Sequence, residues 1–193
     1  AFLSALIATI LGTMVSFAMN HMKKLPRMIL MTVTNIPMLN ADIVTGISLM
    51  LLFIALRYRM GFGSVLIAHI TFNLPYVVLS VMPRLKKMNQ NVYEAALDLG
   101  ATPFQALRKV ILPEIRPGMI SGFILAFTLS IDDFAVTIFT IGNEGLETLS
   151  TFIYADARKG GLTPELRPLS TIIFVTVLVL LIVINKRAEK SKS

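Results

Sequence analysis

Five apolar runs, each long enough for a helix to cross a bilayer, govern this 193-residue chain: residues 1–20, 28–56, 62–82, 118–141 and 169–185. A hydrocarbon core of about 30 Å takes roughly 20 helical residues. No water is available there, so every backbone N–H and C=O must pair within the protein, which leaves helices or closed barrels. The strict alternation of a barrel strand is missing from these runs. The fold class is therefore an all-α, polytopic membrane protein, read as one membrane domain over residues 1–193. Hydrophobic residues at 55% and charged residues at 15% agree with that.

The basic residues set the orientation. Segments 20–27, 84–117 and 186–193 hold 13 of the 18 Lys and Arg, whereas the opposite side has Arg57, Arg59, Arg158, Lys159 and Arg167. Cytoplasmic loops carry the excess of Lys and Arg, so residues 84–117 and the C-terminus are expected in the cytoplasm. The net charge of +7 is then topological, and nucleic acid is excluded as a partner in favour of the lipid bilayer. With that orientation Ala1 falls outside, in mid-run and without Met, which leads us to expect one further helix upstream. The alternative, a signal peptide over 1–20, lacks the basic residues that should precede its apolar run. The absence of Cys excludes disulfides and thiolate metal sites.

One segment does not belong in lipid. Glu94 to Pro113 reads EAALDLGATPFQALRKVILP, a soluble-looking helix-turn-helix set between membrane runs. Asn91 is expected to cap its first helix, with Glu94 reaching back to it. Thr102 is expected to cap the second, with Pro103 at the first helical position and Gln105 at the third. Gly100 suits the left-handed position that ends a helix. Ala95, Ala96 and Leu99 would then form a small, mildly apolar face fit for packing against another protein. The alternative is a plain capping box, with Arg108 and Lys109 anchoring lipid headgroups.

These residues carry a resemblance. Glu-Ala-Ala, three residues, Gly, nine residues and then Ile-x-Leu-Pro is the cytoplasmic motif of the permease subunits of binding-protein-dependent ABC importers. Glu94, Ala95, Ala96, Gly100, Leu112 and Pro113 match it, with Val110 in place of Ile. The stretches HITFNLPYVVLSV from His69, AFTLSIDDF from Ala126 and LTPE from Leu162 resemble the spermidine/putrescine permeases of that family. The resemblance implies a type I importer bundle whose first helix of six precedes Ala1. It implies that residues 91–113, with Ala101, Thr102 and Pro103 at the turn, dock on an ATP-hydrolysing subunit dimer. It also implies a second permease, a paralogue for preference, an extracytoplasmic substrate-binding protein and a multi-pass place in the inner membrane. No cofactor is expected on this subunit, ATP and Mg being the partner ATPase's.

Ionisable residues inside the membrane are costly, each about 2.5–3.5 kcal/mol at a helix centre on insertion scales. Asp132 and Asp133 fall within the fourth run and Asp42 within the second. In one continuous helix Ser130, Asp133 and Thr137 share a face, while Asp132 lies about 100° away. A cationic amine in transit would supply the missing countercharge. Alternatively, either acid bonds within the bundle, as buried polar residues often do, and Asp42 stabilises a broken helix after Pro37 and Asn40.

In the third run His69, Phe72, Asn73 and Tyr76 fall at i, i+3, i+4 and i+7, a polar and aromatic stripe. Phe72 and Tyr76 offer cation-π contacts of roughly 0.5–2 kcal/mol each; the alternative is helix packing around Pro75. His69 has no partner at metal-ligand spacing, so no metal site is expected. Residues 142–168 should hold a short helix around 148–157; the resemblance implies a contact surface there for the docked binding protein, and the alternative is a loop of solvated charge. No phosphate-binding loop and no catalytic constellation is present, so the chain reads as a transport subunit, not an enzyme. An ion-coupled carrier using Asp132 and Asp133 would leave the cytoplasmic segment without a role, and for an intramembrane enzyme adjacent positions on one helix point poorly as a catalytic pair.

Overall fold

The computed structural model describes residues 1–88, 90–142 and 147–158, together with 168, 171–172, 174–176, 178–179 and 182. The elements are α1 (Phe2–His21), α2 (Lys24–Leu39), α3 (Asp42–Ala55), α4 (Phe62–Lys87), α5 (Gln90–Asp98), α6 (Pro103–Ala106), a π-helical turn (Leu107–Ile111), α7 (Leu112–Asp132), α8 (Ala135–Thr140) and α9 (Leu149–Arg158). All regular structure among the described residues is helical. α1, α4 and the helical run Pro103–Asp132 are each long and apolar enough to cross a membrane, whereas α2 and α3 qualify only as a pair. The expected run 169–185 lies largely outside the described residues.

Three local expectations are corrected. The run 28–56 is two helices, because Asn40 turns extended (φ −88°, ψ 150°) three residues after Pro37. Asp42 then opens α3, where its carboxylate meets the positive end of the helix dipole. The run 118–141 is also broken: helix is continuous from Pro103 to Asp132, stops at Asp133 and Phe134, and restarts at Ala135. Finally, Asn91 lies inside α5, which begins at Gln90, and so does not cap it. The second helix of the pair around Gly100 is, by the continuity from Pro103 to Asp132, not a separate short helix but the start of a long apolar one.

Packing divides the chain into two compact units, residues 1–41 with 69–127 and residues 42–68 with 128–193. In the first, Ala5, Ala8, Val77, Val81, Leu85, Ile111, Ile115 and Ala126 are buried together. Small residues make this possible. A Cβ on Gly118 would lie 2.8 Å from the Ser80 carbonyl oxygen, and one on Gly122 would lie 3.3 Å from the Val77 Cα. Between helices in lipid the hydrophobic effect gives little, so close backbone approach and dispersion hold such pairs. The hydroxyls of Thr9, Thr13 and Ser16 donate to carbonyls one turn back at 2.7, 2.6 and 2.7 Å, so α1 satisfies its own polar groups.

In the second unit α3 and α8 pack closely. A Cβ on Gly46 would lie 3.0 Å from Phe139 Cδ2 and 3.2 Å from the Ala135 oxygen. The buried Ser64 hydroxyl, at the start of α4, is within 2.7 Å of the Thr140 carbonyl oxygen and 2.8 Å of that of Gly61. Thr148 and Thr151 cap α9 reciprocally, each backbone N–H donating to the other's hydroxyl at 2.9 and 3.4 Å. The short helix expected around 148–157 is therefore present as α9.

Candidate functional site

The turn between α5 and α6 is built from two different helix-end devices placed back to back. At the end of α5, the Gly100 N–H donates to the Leu97 carbonyl at 2.9 Å and the Ala101 N–H to the Ala96 carbonyl at 3.0 Å. That pair of bonds is the Schellman arrangement, which needs a left-handed residue, and Gly100 has φ +87°. Two residues later Thr102 starts the next helix. Its N–H donates to Gln105 Oε1 at 3.1 Å, and the Gln105 N–H donates to its hydroxyl at 3.3 Å. This is the capping box expected from the sequence, with Pro103 in the first turn.

The turn presents apolar side chains to solvent. Leu99 is 89% exposed and Phe104 68%, and Glu94, Ala95, Thr102, Pro103, Leu112 and Pro113 are exposed with them, while Ala96 and Ala101 are half-buried. Behind it the segment is anchored: Ala106, Ile111 and Ile115 are buried, and Tyr93 and Leu107 pack against the core that holds Val77, Val81 and Leu85. The π turn Leu107–Ile111 lies between the turn and α7. It ends two residues before Pro113, which has no N–H for the Lys109 carbonyl, and a widened turn accommodates that loss. An exposed tip thus stands on a base packed into the helix core.

The candidate acids occupy different environments. Asp133 sits in the break between α7 and α8, where its Oδ1 accepts the Val136 N–H at 3.1 Å. Its Oδ2 accepts both the N–H and the hydroxyl of Thr137, at 2.8 and 2.7 Å. Asp133 N–H donates to the Leu129 carbonyl at 3.0 Å, and its own carbonyl accepts the Ser150 hydroxyl at 2.6 Å. One residue thus ties the end of α7, the start of α8 and the first turn of α9. Asp132, the last residue of α7, is exposed. Asp42, also in this unit, is exposed at the start of α3.

The stripe on α4 belongs to the first unit from His69 onward. His69 and Asn73 are buried, and Phe72 and Tyr76 are half-buried. The rings of His69 and Phe72 meet edge to face with centroids 5.3 Å apart. Among the described residues no cluster of His, Cys, Asp and Glu could hold a metal ion. In the second unit, a cleft of about 610 Å³ is lined by Ile138 and Ile141 and by Thr151 and Tyr154 of α9, with Glu147 and Arg158.

Two features escape a reading of the sequence for charge and motif. The small-residue seam of Gly118, Gly122 and Ala126 is visible only as a spacing of four. The tethers of Ser64 to Thr140 and of Ser150 to Asp133 link residues 76 and 17 apart, and nothing in either local sequence marks the pairing.

Residues 6–186 match the family described as binding-protein-dependent transport system inner membrane component. The chain is 41% identical over 182 residues to the spermidine/putrescine transport system permease protein PotC of Escherichia coli strain K12, covering 94% of this chain and 68% of that protein. Identity to the protein of the same name from Haemophilus influenzae is 38% over 182 residues, 94% of this chain and 70% of that one. To the putrescine transport system permease protein PotI of Escherichia coli strain K12 it is 39% over 147 residues, 73% of this chain and 52% of the other.

Proposed function

The chain belongs to the inner membrane components of binding-protein-dependent transport systems, and on that premise we propose that it carries polyamines into the cytoplasm by ATP-driven alternating access. The observation that carries the energy-coupling part is the cytoplasmic turn. Leu99 and Phe104 are exposed at a tip locked by the Gly100 and Thr102 devices, over a base buried in the helix core. A tip of that kind suits a groove on a separate ATPase, which holds ATP and Mg. When ATP closes that partner dimer, the tip moves as a body and α4 and α7 move with it, because Ile111 and Ile115 pack against Val77, Val81 and Leu85. ATP drives the switch only to the extent that it binds one state more tightly.

Polyamine as cargo draws its support from the relatives' names and from acid placement. Exposed Asp132 at the helix break and exposed Asp42 at the start of α3 offer carboxylates to an ammonium. In the other unit, Phe72 and Tyr76 remain candidates for cation-π contact on their own account. The assembly comprises a second permease, an extracytoplasmic binding protein that docks on the side bearing α9, and an ATPase dimer, with the C-terminus in the cytoplasm. The test is uptake of labelled spermidine and putrescine by proteoliposomes holding all four components, with ion gradients collapsed by ionophores. ATP-dependent uptake supports the reading. Uptake that disappears with the gradients would instead mean an ion-coupled carrier.

A further inference from the structure

Asp132 and Asp133 are neighbours of the same chemistry, and the geometry points to a division of labour between them: Asp133 is a positioning residue that holds the helix break so that Asp132 meets the cationic substrate. This rests on the proposed function, since it takes an ammonium as what Asp132 meets. Asp133's two carboxylate oxygens accept three hydrogen bonds from Val136 and Thr137, and its carbonyl accepts the Ser150 hydroxyl. Thr137, the residue that donates twice, is fully buried. A carboxylate engaged in this way is a poor partner for a passing cation, because an approaching ammonium would have to replace bonds that start α8. Asp132 is exposed where α7 stops.

The far end of α8 is fixed as well. The Ser64 hydroxyl bridges the carbonyls of Thr140 and Gly61, and α3 packs against α8 through Gly46. Phe134 in the break and Tyr154 of α9 bring their rings within 4.4 Å. A six-residue helix held at both ends leaves the break little freedom, so the direction of Asp132 follows from the bonds of Asp133. The charge of Asp133 is not what substrate reads; its capacity to accept hydrogen bonds is what sets the position of residue 132.

The experiment uses the full-length permease assembled with its partners in proteoliposomes, with labelled putrescine and spermidine as probes. Asp132→Asn is expected to raise KM about tenfold, as loss of a charge partner does. Asp133→Ala raises KM similarly, and Asp133→Asn, whose one carbonyl oxygen can still accept from Thr137 while its NH2 forfeits the Val136 bond, recovers part of the loss. In the double variant Asp132→Asn with Asp133→Ala the penalties do not add, which a generally weakened fold would not produce. A second reading is independent of cargo. The 193 residues contain no Cys, so Asp132→Cys can be followed by its labelling rate with a cationic thiosulfonate, corrected for any other thiol in the assembly. Asp133→Ala should change that rate several-fold and Asp133→Asn should change it less. The inference is overturned if Asp133→Asn raises KM as much as Asp133→Ala, if the penalties add, or if the labelling rate ignores Asp133→Ala. Should wild-type vesicles take up neither amine, the cargo reading fails by itself and the labelling rates still decide the positioning role.

Discussion

A Cβ on Gly12 of α1 would lie 2.6 Å from Cγ1 of Val77 on α4. The two helices therefore meet where one side chain is absent, and Val77 fills that space. Gly122 of α7 comes within 3.4 Å of the same Cγ1 by the same measure. Val77 is fully buried between them.

Bulk at either glycine should separate helices that have nowhere to move. Gly12→Leu and Gly122→Leu are each expected to cost about 1–3 kcal/mol, the range for overpacking a filled core. Lower thermal stability of the detergent-solubilised complex is the measurement, with Gly122→Ala as the milder control, its 3.3 Å approach to the Ser80 Cβ needing only a small shift.

The left-handed Gly100 makes a different demand. A Cβ there meets nothing within 4 Å, so any penalty comes from the backbone alone. Gly100→Val should destabilise the turn by about 1–2 kcal/mol, and Gly100→Asn should be tolerated better. Hydrogen exchange over residues 96–102 would read the difference as faster opening in the Val variant.

Thr102→Ala removes the hydroxyl that accepts the Gln105 N–H. About 1 kcal/mol of local stability should be lost, and Thr102→Ser should recover it. Limited proteolysis between Leu99 and Phe104 is the measurement, with faster cleavage expected for Ala only.

Leu99→Asp and Phe104→Asp put charge on the exposed tip without touching the core. Membrane insertion and thermal stability should match the wild type, while copurification of the ATPase falls at least about tenfold, the scale of a lost apolar anchor. Normal copurification with both changes present would remove the tip from the interface.

Much of the turn at Gly100 and Thr102 was legible in the sequence because its devices are local. Thr102, Pro103 and Gln105 spell a capping box within four residues, and Gly100 announces a helix end. The membrane helices α1 and α4 were legible for a related reason, since uninterrupted apolar length is itself the signal. The break at Asn40 was one of two readings open at Asp42, and α2 and α3 bear it out; the break at Asp133 was not legible. An Asp inside an apolar run reads equally as an intramembrane charge or as the cap of a new helix, and the choice depends on Thr137 and Ser150 being brought to it. Asn91 misled because Asn favours caps, yet α5 begins one residue earlier. Helical spacing already set Asp132 and Asp133 on different faces and so in different roles; which role falls to which follows from the hydrogen bonds of Asp133 and the exposure of Asp132.

The central claim is that ATP hydrolysed on a partner drives amine through this permease by way of the cytoplasmic turn. The most direct measurement follows both quantities in the same proteoliposomes: ATP hydrolysed in response to the loaded binding protein, and labelled spermidine or putrescine taken up. The account predicts that the two rise together in the wild type, and that Leu99→Asp with Phe104→Asp abolishes both while the permease remains in the membrane. Amine uptake that continues at the wild-type rate when hydrolysis is blocked, or when the turn is altered, would contradict it.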